Sequence, residues 1–253
     1  MAWDPTAYLT FDDHRSRPFH DLLARIGATE PRRVVDLGCG PGHLTGLLSA
    51  RWPGAEIDAL DSSPEMVENA RARGVAARQA DVRDWQPGPT DDVVVTNAVL
   101  QWVPEHAELL VRWLGEMPKG GWFAMQVPGN FSAQSHVLVR ELLAEPAWSG
   151  RVQVRDELAV APPADYADSV AAVGAEVDAW ETTYLHRLTG PDAVLTWISG
   201  TALRPVRAEL DDAEWDRFRA ELAPRLHKAY PPRPDGTTWF PFRRIFLVAR
   251  ATG

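Results

Sequence analysis

Val34-Val-Asp36-Leu-Gly38-Cys-Gly40-Pro-Gly42-His43 is the stretch that decides the fold. A β-branched run from Arg33 to Leu37 meets three glycines at alternate positions. His43 to Trp52 then carries Leu44, Leu47, Leu48 and Trp52 at helical spacing. Side-chain-free residues let a strand turn tightly into a helix and let the backbone approach a ligand closely. The free N–H groups and dipole of the following helix favour a carboxylate. Asp36, two residues ahead of Gly38, can reach the ammonium of an amino-acid-like ligand. Asp61 stands twenty-one residues after Gly40 and closes a second strand begun at Ile57. A carboxylate there can accept both hydroxyls of a ribose. Ser62 and Met66 follow it, the latter in a helix that Ser63-Pro64 opens. Asp81 follows a third short strand over Val75–Gln79, with Val82 placed to lie against an adenine face. Asn97 and Ala98 end a fourth strand begun at Asp92, apolar on both faces.

The spacing discriminates among nucleotides. Gly38, Gly40 and Gly42 read G-x-G-x-G rather than the dinucleotide G-x-G-x-x-G, and Asp36 would oppose a pyrophosphate. No G-x-x-x-x-G-K-[ST] loop is present. The pattern suits a zwitterionic nucleoside without phosphate. Taken alone, the glycines would make no more than a tight turn. Their coincidence with acids after three successive strands is what points to a ligand.

Outward from this stretch, residues 32–127 alternate strands and helices. A helix opens at Pro104, and a fifth strand runs from Gly121 to Val127. Such alternation implies right-handed crossovers and a parallel α/β sheet. Residues 130–172 read as helical or irregular, broken at Pro162-Pro163. Glu176–His186 alternates as a strand. Residues 191–230 are helical again, with Trp215, Phe218, Leu222 and Leu226 as a core-facing stripe, and Arg243–Ala251 forms a last strand. The expected organisation over residues 1–253 is one domain. An N-terminal lid or helix covers 1–30, and a nucleoside-binding core covers 31–129. A substrate-binding cover over 130–253 returns two strands to the sheet.

Composition narrows the function classes. The chain has 253 residues and a net charge of −9, which argues against a nucleic-acid partner. Hydrophobic content of 45% and charged content of 24% fit a folded globule. No apolar run is long enough to span a bilayer, and the first residues lack a secretory pattern. The single cysteine, Cys39, fits a reducing compartment and reads as a small buried residue. A cytoplasmic location is expected, and the oligomeric state stays open, a monomer included. The histidines show no metal-ligand spacing, so no metal is expected. Lysine occurs only at 119 and 228, so any anion site here is built from arginine forks.

The glycine loop together with Asp36, Asp61, Asp81 and Asn97 resembles motif I and its partners in the class I, Rossmann-like methyltransferases that use S-adenosyl-L-methionine. Further stretches narrow the resemblance. They are Arg15-Ser-Arg17-Pro18, Asp84-Trp-Gln-Pro87, Asn97-Ala-Val-Leu-Gln101-Trp102-Val-Pro104, Thr182-Thr-Tyr184 with His186, Trp197, Leu203-Arg204-Pro205, Tyr230-Pro231 and Arg244-Ile-Phe-Leu-Val-Ala-Arg250. Over nearly the whole chain this set resembles the trans-aconitate 2-methyltransferase family. His43, where the family often has Asn, and Phe242-Arg243 before Arg244 depart from its pattern.

The resemblance implies a seven-stranded, mostly parallel sheet with helices on both faces and a helical cover over its carboxyl edge. It implies S-adenosyl-L-methionine as cofactor and esterification of one trans-aconitate carboxylate to a monomethyl ester. A carboxylate is already ionised at neutral pH, so this chemistry calls for positioning and no general base. Holding the remaining carboxylates calls for arginines. The candidates are Arg15, Arg17, Arg204 and Arg244, with Trp102, Tyr184, His186 and Trp197 as walls or donors. Tyr184 and His186 are two apart on a strand and share one face. A surface charge or ion pair is an equal reading of any one arginine, and a core position is the plainer one of Trp197. Two other functions stay open: methylation of a different small or carrier-bound carboxylic acid, and a non-catalytic protein that binds the cofactor.

Overall fold

The computed structural model describes residues 12–152 and 160–253, with only the backbone of 12–15. The first part of the chain gives helix α1 (Asp12–Leu23), strand β1 (Arg33–Leu37), α2 (Thr45–Arg51), β2 (Glu56–Asp61), α3 (Pro64–Ala72), β3 (Ala77–Gln79), β4 (Asp91–Asn97), α4 (His106–Glu116) and β5 (Trp122–Pro128). Then come α5 (Gln134–Ala144), α6 (Pro163–Ala171), β6 (Glu176–Thr189), α7 (Ala193–Ser199), α8 (Arg204–Glu209), α9 (Asp212–Ala229) and β7 (Thr237–Arg250).

The seven strands form one sheet in the order β3-β2-β1-β4-β5-β7-β6. Pairs among β1 to β5 are parallel, and β7 runs antiparallel to β5. The chain leaves β1 toward β2 on one side, while β4 pairs with its other side. The carboxyl ends of β1 and β4 therefore form the switch point where open sheets of this kind take ligands. The antiparallel register sets Arg244 opposite Pro128, at the carboxyl end of β5.

The chain divides into two compact units. Among the described residues, the first comprises 12–128, 160–182 and 244–253; the second comprises 129–152 and 183–243. The first is built around Val35, Leu37, Val94, Phe123, Met125 and Leu247, all buried. Trp85 meets Trp113 edge-on at 5.4 Å, and Trp113 stacks on Phe123. Tyr166 of α6 donates to His106 of α4 at 2.6 Å and accepts from the Ala161 amide, so both buried side chains are satisfied. In the second unit α5 packs on α9. Trp148 meets Phe218 edge-on at 5.3 Å and donates to Glu221. Phe218, Leu222 and Leu226 are buried as their spacing predicts, while Trp215 is half-buried.

Several boundaries differ from the sequence reading. α2 starts at Thr45 rather than His43, because a turn with Gly42 N–H bonded to Cys39 O takes up the preceding residues. α4 starts at His106 rather than Pro104, after a 3-10 turn over Leu100–Trp102. β3 starts at Ala77, because the Val75 amide closes α3 by bonding to Ala70 O. The Pro162-Pro163 break opens α6. β6 runs on to Thr189, and β7 begins at Thr237 rather than Arg243. The added part of β7 alternates buried and exposed residues through Pro241, a weaker pattern than the apolar run after it.

Candidate functional site

The glycine loop is fastened to its neighbour strand by backbone alone: the amides of Gly38 and Cys39 both donate to Leu60 O, at 2.8 and 2.9 Å. Gly38 has φ +81°, and a Cβ there would lie 2.3 Å from a methyl of Val99. Gly40 has φ +54°, but a Cβ there would meet open space. One glycine thus lets the loop pass beneath the segment after β4, and the other keeps a bare backbone facing outward. Gly42 is crowded instead by Ala70 and Val75.

Asp61 bridges this loop to the next turn. It accepts from the Gly40 amide through Oδ2 and the Ser63 amide through Oδ1, each at 2.9 Å. Burial raises its pKa, and those amides oppose the rise. Asp36 is 4% exposed and accepts from the Thr45 hydroxyl at 2.7 Å. Burial pushes its pKa up to about 6 despite that bond, and the Asp61 charge adds to the rise. Burial also pushes the Cys39 thiol well above its ordinary range, which leaves it inert.

The end of β4 completes the arrangement. Ala98 holds φ +57°, unusual for a residue with a side chain. Its amide donates to Gln126 O at 2.8 Å, and its carbonyl accepts from Gln101 Nε2 at 2.7 Å. Asn97 Oδ1 is buried without a hydrogen-bond partner among the described residues. Asp81 caps the turn Val82–Asp84 and chelates the Arg83 guanidinium, which lowers its pKa. Val82 and Met66 are buried, and Ser62 is exposed.

The structure therefore gathers Asp36, Gly38, Gly40, Asp61, Asn97 and Ala98 at the switch point. Asp81 and Val82 follow the adjacent β3. The open face of Gly40 and the unsatisfied Asn97 oxygen suit a ligand with a carboxylate and an ammonium, the groups at the amino-acid end of S-adenosylmethionine. Sequence reading missed Thr45, Val99 and Gln126. Of these only Gln126, a polar residue inside an apolar strand, carried a visible signal.

The substrate candidates divide between the two units. In the first, Arg17 is exposed on α1 and Trp102 is 40% exposed. The Arg15 side chain lies outside the described residues. Arg244 is 5% exposed and donates from Nη1 to Gln126 Oε1 at 3.0 Å. In the second, Tyr184, His186 and Trp197 are all buried, and His186 stacks on Trp197 at 4.8 Å. The shared face of Tyr184 and His186 is thus the inward one. Arg204 is half-buried and opens α8.

A glycine loop at this switch point, backed by acids at the carboxyl ends of β1 and β2, defines a methyltransferase of the Rossmann-like class. Residues 11–178 match the family model described as a methyltransferase domain. The YcgJ protein of Bacillus subtilis shares the fold, with TM-score 0.60 and 14% identity over 95% of this chain and 99% of that one. So does a phosphoethanolamine N-methyltransferase of Haemonchus contortus solved with S-adenosyl-L-methionine, with TM-score 0.54 and 13% identity over 94% of this chain and 53% of that one. Trans-aconitate 2-methyltransferase of Rhodococcus jostii is 61% identical over 251 residues, covering 98% of this chain and 99% of that protein. The Mycobacterium tuberculosis protein of the same name is 55% identical over 254 residues, covering 99% and 97%. The chain belongs to the trans-aconitate 2-methyltransferase family and is an enzyme that uses S-adenosylmethionine.

Proposed function

We propose that this enzyme esterifies one carboxylate of trans-aconitate, giving a monomethyl ester, without a general base. The observation that carries this reading is Arg244. A guanidinium is almost fully removed from water at the carboxyl end of β5, in the unit that carries the glycine loop. A guanidinium presents a planar fork of donors that matches a carboxylate. High identity to enzymes named for trans-aconitate supports the same substrate.

Bound S-adenosylmethionine supplies an electrophilic methyl that a carboxylate oxygen can take by in-line displacement. Asp36 and Asn97 would hold its ammonium, Asp61 its ribose, and Asp81 and Val82 its adenine. Arg244 would fix a carboxylate that does not react, leaving another free. Arg15, Arg17 and Trp102 are the further substrate contacts this reading retains in the same unit. The substrate carboxylate is ionised at neutral pH, so no residue need remove a proton. Orientation then carries most of the rate, up to about 7–11 kcal/mol. Incubation with methyl-labelled cofactor and trans-aconitate, followed by NMR of the product, tests the reading. A labelled monomethyl ester is expected; label on carbon or nitrogen, or none transferred, would overturn it.

A further inference from the structure

Gln126 lies fully buried in the middle of the sheet, on the strand beside Arg244. Its side-chain oxygen accepts from the Arg244 guanidinium at 3.0 Å, which fixes the orientation of the amide. Nε2 is then a buried donor without a hydrogen-bond partner among the described residues. Stranding such a donor is unfavourable unless a ligand answers it. On β4 the register partner of Gln126 is Asn97, whose Oδ1 is likewise buried and unanswered. The same glutamine offers its backbone carbonyl to the Ala98 amide, so it also pins the strained residue after β4. Two unsatisfied polar groups and one guanidinium thus converge on neighbouring positions of three adjacent strands.

We propose that Gln126 is a positioning and specificity residue for a substrate carboxylate: its amide oxygen orients Arg244, and its Nε2 donates to the carboxylate that Arg244 holds. The inference rests on the carboxylate-methyltransferase reading above and deepens it. The ligand chemistry is a carboxylate, which both the substrate and the amino-acid end of the cofactor carry. The substrate is favoured because Arg244 already supplies the matching fork beside it.

Gln126→Glu keeps the size and a hydrogen-bond acceptor for Arg244 but removes the donor and neutralises the guanidinium. Gln126→Met removes both polar roles. Each full-length variant is assayed beside the parent enzyme for KM and kcat on trans-aconitate and on a monocarboxylic acid. Cofactor Kd is measured by calorimetry and folding by thermal melting. The expected result for Gln126→Glu is a KM for trans-aconitate raised roughly 30-fold, the loss of a charge-assisted contact. Its kcat should change far less, its cofactor Kd should stay within twofold, and its KM for the monocarboxylic acid should rise several-fold less than its KM for trans-aconitate. Gln126→Met should show the same split with a smaller rise. Equal losses on both acids would make Gln126 merely structural and overturn the proposal. A parallel loss of cofactor affinity would assign the donor to the cofactor carboxylate and overturn it too. A parent enzyme inactive on every polycarboxylate would remove the underlying reading as well, a result distinct from either. If Gln126→Met does not fold, the Gln126→Glu comparison decides alone.

Discussion

The two units hold themselves together differently. In the first, which has its own aromatic core at Trp85, Trp113 and Phe123, the contacts that shape the glycine loop are made by backbone amides. Gly38 and Cys39 amides bind Leu60 O, the Gly40 amide binds Asp61, and the Ala98 amide binds Gln126 O. In the second the contacts are made by large side chains: Trp148 against Phe218, His186 against Trp197, Tyr230 against Phe240. Backbone geometry tolerates little change in side-chain size but dictates glycine at fixed places. Aromatic packing accepts many solutions and dictates none. A sequence motif survives in the first case, and only composition and periodicity survive in the second.

The comparison is broken or sharpened by a graded series of changes. The largest effect is expected at Gly38→Ala. A positive φ combines with a 2.3 Å clash against Val99, so stability should fall by about 4 kcal/mol or more. Thermal or denaturant unfolding of the purified variant reads this directly. Gly40→Ala, with open space around the new methyl, should fold but lose cofactor affinity. If the two variants melt alike, the distinct roles of the two glycines are wrong. Next comes Phe218→Ala in the second unit, with an expected loss of about 3–5 kcal/mol. Its cofactor Kd at low temperature should stay near the parent value, because the residues proposed to hold the cofactor lie in the other unit.

A smaller effect concerns pH. Burial raises Asp36 to about 6, against an ordinary value of about 4. Between those values the folded protein holds a proton that the unfolded chain has released. This group's contribution to stability is therefore most favourable below about pH 4 and declines until about pH 6. A bound ammonium favours the ionised form and reverses the preference. Cofactor affinity should then weaken as pH falls below 6, by up to about tenfold per unit. Calorimetry across pH 5–8 measures the slope, and Asp36→Asn should abolish it. A slope that survives in that variant would take the ammonium away from Asp36. The smallest effect belongs to Arg187→Ala, which breaks an exposed 3.3 Å pair with Asp235 and should cost under about 1 kcal/mol by denaturant titration.

The same contrast explains what could be read from the amino-acid order. The loop glycines, Asp61 at its spacing from Gly40 and the apolar β4 together marked the ligand end of a parallel sheet, while the strand order came only with the structure. Val99 could not be found, because its role is to crowd Gly38 from a segment sixty-one residues away. Thr45 looked like an ordinary helix residue, although its hydroxyl is what satisfies Asp36. Gln126 did carry a signal, as a polar residue inside an apolar strand, but the strand around it reads as core. In the second unit, Tyr184 and His186 were rightly placed on one face, but nothing in an alternating pattern says which face turns inward. The start of β7 was missed because Pro241 and the alternation of buried and exposed residues around it give a weaker signal than the apolar run that follows.

The central claim is that a guanidinium fixed inside the sheet selects a polyanion. The most direct measurement is the ratio of kcat/KM for trans-aconitate to that for a monocarboxylic acid of similar size, taken in the parent enzyme and in Arg244→Met. The account predicts a ratio of about 10³ or more in the parent, collapsing by roughly two orders of magnitude in the variant while cofactor Kd holds. A parent ratio near one, or a ratio that Arg244→Met leaves unchanged, would contradict it.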